Sequence, residues 1–202
     1  MRQRVLTRSS KRKLLIGVAV SVVLAASSAS SVLIAAPALA PWRLDPTNPR
    51  VSLEDVERKV IRRYRMPQIT PASLAEMLAN GNVTLLDIRT REEFDAGHLP
   101  GAIRIEPGAT AEEIIKLHGD RLDDGPVVFY CAVGVRSSRM MVQTRRQIAP
   151  LARYGAYNLR GGVFRWTADG RPMVRGGEQG VAHPFNDEWG ELLARTLKDQ
   201  RP

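Results

Sequence analysis

From residue 68 to residue 159 short apolar runs alternate with longer stretches of helical period. The runs are 68–69 (QI), 83–88 (VTLLDI), 102–105 (AIRI), 126–130 (PVVFY) and 156–159 (AYNL), and Gly, Pro or Asn residues punctuate them. Continuous apolar runs of this length predict strands buried on both faces. Between them the polar–apolar spacing predicts helices. One is capped by Thr70-Pro71, carries Leu74, Met77 and Leu78 inward and ends at Asn80-Gly81. Others cover 91–96, closed by Gly97, and the stretch opening at Thr110 with Ile114, Ile115 and Leu117 on one side. The last starts at Ser137 and runs to about Ala149. Thr70, Thr110 and Ser137 are placed as N-caps, where a hydroxyl satisfies a free helical N–H. Repeated strand–helix alternation predicts an α/β fold with a mostly parallel sheet covered on both faces. No internal repeat is visible, so a single such unit is expected.

Two helical patterns flank this unit. Ser52 caps a helix with Val56, Val60, Ile61 and Tyr64 at helical spacing, stopped by Pro67. Its other face is basic (Arg58, Lys59, Arg62, Arg63, Arg65) and reads as solvated, or as a contact with anionic lipid if the chain stays on a membrane. After Gly176, Trp189, Leu192, Leu193 and Leu197 form an apolar stripe that has to cover something, either the domain or a partner. His183 with Asp187 and Glu188 lacks the spacing and ligand number of a metal site.

The N-terminal pattern is different. Arg2, Arg4, Arg8, Lys11, Arg12 and Lys13 are followed by no charge until Arg43. A basic start, an apolar run and small residues at 36–40 describe a secretory signal, cut after Ala40 or Ala38, or an uncleaved membrane anchor. Either reading places the rest of the chain across the membrane. This leader changes the meaning of the composition. The 202 residues carry 30 Lys+Arg against 21 Asp+Glu, a formal charge of +9 that would suggest an anionic partner. Six of the basic residues and no acid lie before position 41, so the rest of the chain is only +3 and nucleic acid is not expected as a partner. With 44% apolar and 25% charged residues, wholesale disorder is excluded. The organisation expected is a signal peptide or anchor at 1–40, a linker and helix at 41–67, one domain at 68–175 and a C-terminal extension with a short amphipathic helix at 176–202.

One cysteine excludes a disulfide framework and multi-cysteine metal sites. Cys131 follows the most apolar strand and precedes a helix, and ligands bind beyond the carboxyl ends of parallel strands. The intervening Ala132, Val133, Gly134, Val135 and Arg136 form a short loop able to point successive backbone N–H groups at one spot. A helix N-terminus and a nearby Arg lower a thiol pKa. Cys131 taken alone reads as a small buried hydrophobe; in this strand–loop–Arg–helix setting it reads as a thiolate cupped by amides.

These residues resemble a rhodanese domain over about 68–175. The resemblance rests on Leu86-Asp87-Ile88-Arg89, Glu93-Phe94 and Gly97-His98-Leu99-Pro100-Gly101-Ala102, then on Cys131 to Arg136 followed by Ser137, and finally on Leu159, Gly161-Gly162, Trp166, Gly170 and Pro172. It implies a three-layer α/β fold with a central parallel sheet of about five strands and helices on both faces. It also implies a sulfurtransferase in which Cys131 attacks a sulfane sulfur, carries it as a persulfide and passes it to a thiol. Ala132, Val133, Gly134, Val135 and Arg136 then bind substrate, and no cofactor is called for. The implied partners are a small-molecule sulfur donor and thiol acceptor, or a sulfur-carrier protein, with membrane contact only through 1–40. A low-turnover sulfur-binding or redox-sensing module is the alternative. Cysteine phosphatases place five residues between Cys and Arg; four stand here, a tighter cradle suited to one sulfur. The apolar Ala132, Val133 and Val135 favour a persulfide or protein-borne sulfur over thiosulfate. Asp87 with Arg89, and His98, are expected to hold turns; Trp166 is expected to pack beside the loop; and Ser137 is expected to cap its helix rather than bond the thiolate.

Overall fold

The computed structural model describes residues 44–199. The signal or anchor expected at 1–40 lies outside them. Helix α1, Leu53–Tyr64, begins at Ser52, whose hydroxyl accepts the Asp55 N–H while the Asp55 carboxylate accepts the Ser52 N–H. This reciprocal box satisfies two otherwise free donors. Arg65, at φ 50°, turns the chain out of the helix.

Five parallel strands follow: β1 Gln68–Ile69, β2 Thr84–Asp87, β3 Ile103–Arg104, β4 Val127–Tyr130 and β5 Ala156–Leu159. Their order across the sheet is β1-β5-β4-β2-β3. The cysteine-bearing β4 is thus the central strand, flanked by β2 and β5. The connecting helices are α2 Pro71–Asn80, α3 Arg91–Ala96, α4 Ala111–His118 and α5 Val135–Ile148. Thr70, Thr90 and Thr110 cap the first three through their hydroxyls.

Side chains alternate across the sheet, which divides the core in two. Leu86, Val127 and Phe129 pack with Ile114 of α4 and Met140, Met141 and Ile148 of α5. Leu85, Val128, Tyr130 and Leu159 face the other way, against Leu74 of α2 and Val163 and Trp166. Truncating a residue such as Met140, 2% exposed, to Ala is expected to cost about 2–5 kcal/mol. The expected α/β architecture with helices on both faces is observed.

Three features differ from the sequence reading. Helix α5 starts at Val135, because Gly134 (φ 90°) takes the N-cap position; Ser137 lies inside the first turn and caps nothing. A helix α6, Gly162–Ala168, follows β5 directly. A small antiparallel hairpin, β6 Val174–Arg175 and β7 Glu178–Gln179, then precedes helix α7, Asp187–Asp199. The apolar stripe of α7 is covered by the domain: Leu192 and Leu193 are buried and α7 packs on α6. Among the described residues no helix is long and apolar enough to cross a membrane.

Candidate active site

Strand β4 ends at Tyr130 and delivers Cys131, 1% exposed, to the head of the loop that becomes α5. The positive φ of Gly134 is what turns this loop back on the thiol, and it brings the Gly134 N–H to 3.2 Å from Sγ. A side chain at 134 would press on the Asn158 amide nitrogen and Leu159 carbonyl below the loop. Ser137, in the first turn of α5, places its hydroxyl 3.5 Å from Sγ. Its stronger bond, 2.6 Å, goes to Asn158 Oδ1, and Asn158 Nδ2 donates to Gln68 Oε1 at 2.8 Å. A buried polar chain therefore runs from β1 through β5 to the sulfur, and the hydroxyl's one hydrogen has two acceptors to choose between.

Burial pushes the Cys131 thiol up. The Arg136 charge, the Ser137 backbone and hydroxyl and the Val133 backbone pull the other way, and together they hold it below the ordinary cysteine value. The arrangement stabilises a thiolate, the nucleophilic form of the residue.

Arg136, the one charge of the loop, is paired. Its Nη1 and Nη2 each donate to one oxygen of Glu93, both at 2.7 Å. The Glu93 carboxylate also accepts the Thr90 N–H and so caps α3. Burial opposes the charge of Arg136, while the Glu93 bonds and the Cys131 thiolate favour it, and the guanidinium is held more firmly protonated than usual. The carbon of that guanidinium lies over the Phe185 ring, 4.8 Å from its centroid.

The loop is also clamped from behind. The N–H groups of Val163 and Phe164, at the start of α6, donate to the carbonyls of Cys131 and Ala132 at 2.9 and 3.0 Å. Any side chain at Gly162 would run into those same carbonyls, so the Gly161-Gly162 pair lets a helix end touch the cysteine's own backbone. From α1, the buried Glu57 carboxylate accepts from Arg160 Nε and Arg165 Nε, each at 2.8 Å.

The remaining sequence candidates hold structure. Asp87 and Arg89 form a fully buried pair, with Arg89 Nη2 2.6 Å from Asp87 and 2.7 Å from the Gly97 carbonyl. His98 stacks on Phe94 and bonds the Phe94 carbonyl through Nδ1 at 3.1 Å. Trp166 donates to the Pro172 carbonyl from within the second core. Ala132, Val133 and Gly134 are buried, and Val135 and Arg136 are half-buried. The sequence reading did not single out Glu57, Asn158, Gln68 or Phe185, and it took Glu93 only as part of a motif. The capping pattern Thr90-x-x-Glu93 was a signal for the last; the others depend on contacts across many residues.

A thiol held below its ordinary pKa at the end of a central parallel strand, within a tight loop that ends in an arginine, is the arrangement of an activated cysteine. The profile of the rhodanese-like domain family matches residues 70–169. A thiosulfate:glutathione sulfurtransferase of Homo sapiens is 31% identical over 111 residues, which cover 50% of this chain and 92% of that protein. A sulfurtransferase of Allochromatium vinosum is 33% identical over 109 residues, covering 53% of this chain and 94% of that protein. The chain belongs to the rhodanese-like family. An HTH-type transcriptional regulator of Mycobacterium tuberculosis is 35% identical over 112 residues, 55% of this chain. This chain spans only 46% of the regulator's length.

Proposed function

We propose that the chain is a sulfurtransferase that moves sulfane sulfur from a persulfide, or less readily from thiosulfate, to a thiol acceptor through a persulfide on Cys131. The observation that carries this reading is the Gly134 N–H on Sγ within a site that lowers the thiol pKa. In the first half-reaction the Cys131 thiolate attacks the outer sulfur of R–S–SH. The new S–S bond forms as the old one breaks, and RS⁻ leaves with the bonding pair. In the second, an acceptor thiolate takes the outer sulfur and restores the Cys131 thiolate. Two displacements through one covalent intermediate give ping-pong kinetics. Amides aimed at Sγ stabilise the thiolate at the start and end of the cycle, as oxyanion-hole donors stabilise a developing charge.

The Glu93 pair bears on the donor. A dianion such as thiosulfate gains most from an unshared cation, whereas both terminal nitrogens of Arg136 are already bonded. A monoanionic or neutral persulfide needs less charge and fits the apolar loop. The two sulfurtransferase relatives support the reaction class. Export is part of the proposal; the basic start and uncharged run before Arg43 support it.

The test is mass spectrometry of the full chain after exposure to persulfide or thiosulfate, followed by turnover with a thiol acceptor. Cys131 is expected to gain one sulfur atom and lose it to the acceptor, and Cys131→Ser to do neither. No added sulfur with any donor would overturn the proposal. A second reading, a sulfur-binding or redox-sensing module with little turnover, is favoured by the 1% exposure of Cys131. It predicts that the loaded sulfur stays in place when acceptor is added.

A further inference from the structure

The C-terminal extension brings an aromatic side chain to the site. Phe185 lies beyond the last residue matched by the family profile. It is held there by a strap fixed at both ends. At one end the Val181 N–H donates to the Ala96 carbonyl at 3.1 Å, and Gly180 and Gly97 meet so closely that neither position has room for a side chain. At the other end the Asn186 side chain accepts the Trp189 N–H at 3.1 Å at the start of α7, whose Leu192 and Leu193 are buried. Pro184, packed over Gly190, stiffens the step before Phe185.

Phe185 nevertheless remains 52% exposed. A large ring held in place, yet half open to solvent, is a surface offered to something. Its neighbour identifies the place: the Phe185 ring centroid lies 4.8 Å from the guanidinium carbon of Arg136, the charged residue of the loop that starts at Cys131. The ring is therefore in contact with a residue of the cysteine loop. Both terminal nitrogens of the guanidinium are bonded to Glu93 and the Phe185 ring lies against it, so the accessible 23% of Arg136 belongs to a cation already shared.

We propose that Phe185 is a specificity-determining residue that selects organic persulfides with an apolar substituent over small inorganic donors. The inference rests on the reading of Cys131 as the sulfur carrier. The apolar group of R–S–SH packs on the exposed half of the ring while its outer sulfur is attacked. The S–S bond breaks towards RS⁻, which takes a proton from water as it leaves. Thiosulfate has no apolar group to place there, and its charge meets an arginine already paired.

The experiment compares wild type, Phe185→Ala and Phe185→Trp in the full chain with three donors: benzyl persulfide, methyl persulfide and thiosulfate. Persulfide on Cys131 and kcat/KM are read for each, and thermal melting checks folding. In Phe185→Ala the preference for benzyl over methyl persulfide is expected to fall about tenfold, mainly through KM, while thiosulfate use rises. Phe185→Trp, with a larger face, is expected to keep the benzyl preference. Equal donor ratios in wild type and Phe185→Ala, with Cys131 normally loaded, would overturn the role of Phe185 and leave the sulfurtransferase reading standing. No loading of wild-type Cys131 by any of the three donors would overturn both.

Discussion

Asp87–Arg89 and Glu93–Arg136 pair the same two chemical groups, yet they belong to different parts of the molecule's work. The first is sealed: both side chains are 0% exposed, and Arg89 also grips the Gly97 carbonyl. The second opens towards the site, with Arg136 23% and Glu93 2% exposed. A sealed pair holds geometry: Arg89 Nε and Nη2 are committed to Asp87 and the Gly97 carbonyl, and its buried Nη1 has no hydrogen-bond partner among the described residues. A pair with one accessible member couples to what lies beside it, here a thiol on one side and an aromatic ring on the other. The second pair lies beside the thiol whose pKa it helps to lower, and the first fixes the shape of the turn.

Breaking the sealed pair is the largest expected effect. Asp87→Ala leaves Arg89 buried and uncompensated and is expected to destabilise the fold by about 3–5 kcal/mol in urea unfolding. The variant that remains folded is expected to show an unchanged pH dependence of Cys131 alkylation. Arg136→Met should behave in the opposite way. It removes the positive charge that holds the thiol down, so the midpoint of the alkylation–pH curve is expected to rise. For each pH unit it rises, the thiolate available at a fixed lower pH falls about tenfold. The stability loss, from leaving Glu93 without its main partner, is expected to be smaller, about 1–3 kcal/mol.

Glu93→Gln sharpens the contrast further. Glutamine can still accept the Thr90 N–H and complete the helix cap, but it no longer offsets the Arg136 charge. The thiol midpoint is expected to move down and thiosulfate use to increase. If the midpoint stays where it is in wild type, Glu93 only fixes geometry and the two pairs are alike. Glu93 also gives the folded state a pH dependence. Burial raises its pKa; the Arg136 bonds and charge, with the Thr90 N–H, lower it more. A folded-state value below the unfolded one means its contribution to stability is complete above about pH 4.3 and is lost as pH falls through the lowered value. Chemical unfolding followed between pH 6 and pH 3 should show this loss in wild type and less of it in Glu93→Gln.

The smallest effect is expected from Ser137→Ala. It takes one hydroxyl from Sγ and leaves Asn158 Oδ1 without that donor. A loss of about 1 kcal/mol and a slight upward move of the thiol midpoint follow. An unchanged midpoint would show that the hydroxyl serves Asn158 alone.

The five strands, their parallel sense and most of the buried positions were legible because apolar runs and helical spacing report burial directly, whereas the order of the strands across the sheet depends on pairings the pattern does not carry. The cysteine loop was legible for a similar reason: strand, small residues, Arg and helix stand in one local stretch. Ser137 was misplaced because a serine ahead of an apolar run resembles a cap, whereas the helix actually begins one turn earlier at a glycine whose φ of 90° sequence does not reveal. Helix α6 was missed because Gly161-Gly162 disfavours a helix locally, and the bonds to the Cys131 and Ala132 carbonyls that secure it come from across the sheet. Glu57 stands on the apolar side of its helix, where a carboxylate has no local partner to announce it; its partners are more than a hundred positions away. The two-residue strands β6 and β7 are too short to show any alternation.

The clamp of α6 on the cysteine's backbone has a temporal side. Synthesis delivers this chain from its N-terminus, so Cys131 emerges before Gly162, Phe164 and Phe185. Until those residues arrive, the carbonyls of 131 and 132 have no donors from α6, Arg136 has no ring above it, and the thiol stands among unfinished surroundings. The reactive centre is therefore completed late, by the segment that follows it, and a chain stopped short of residue 164 would carry the nucleophile without its backing.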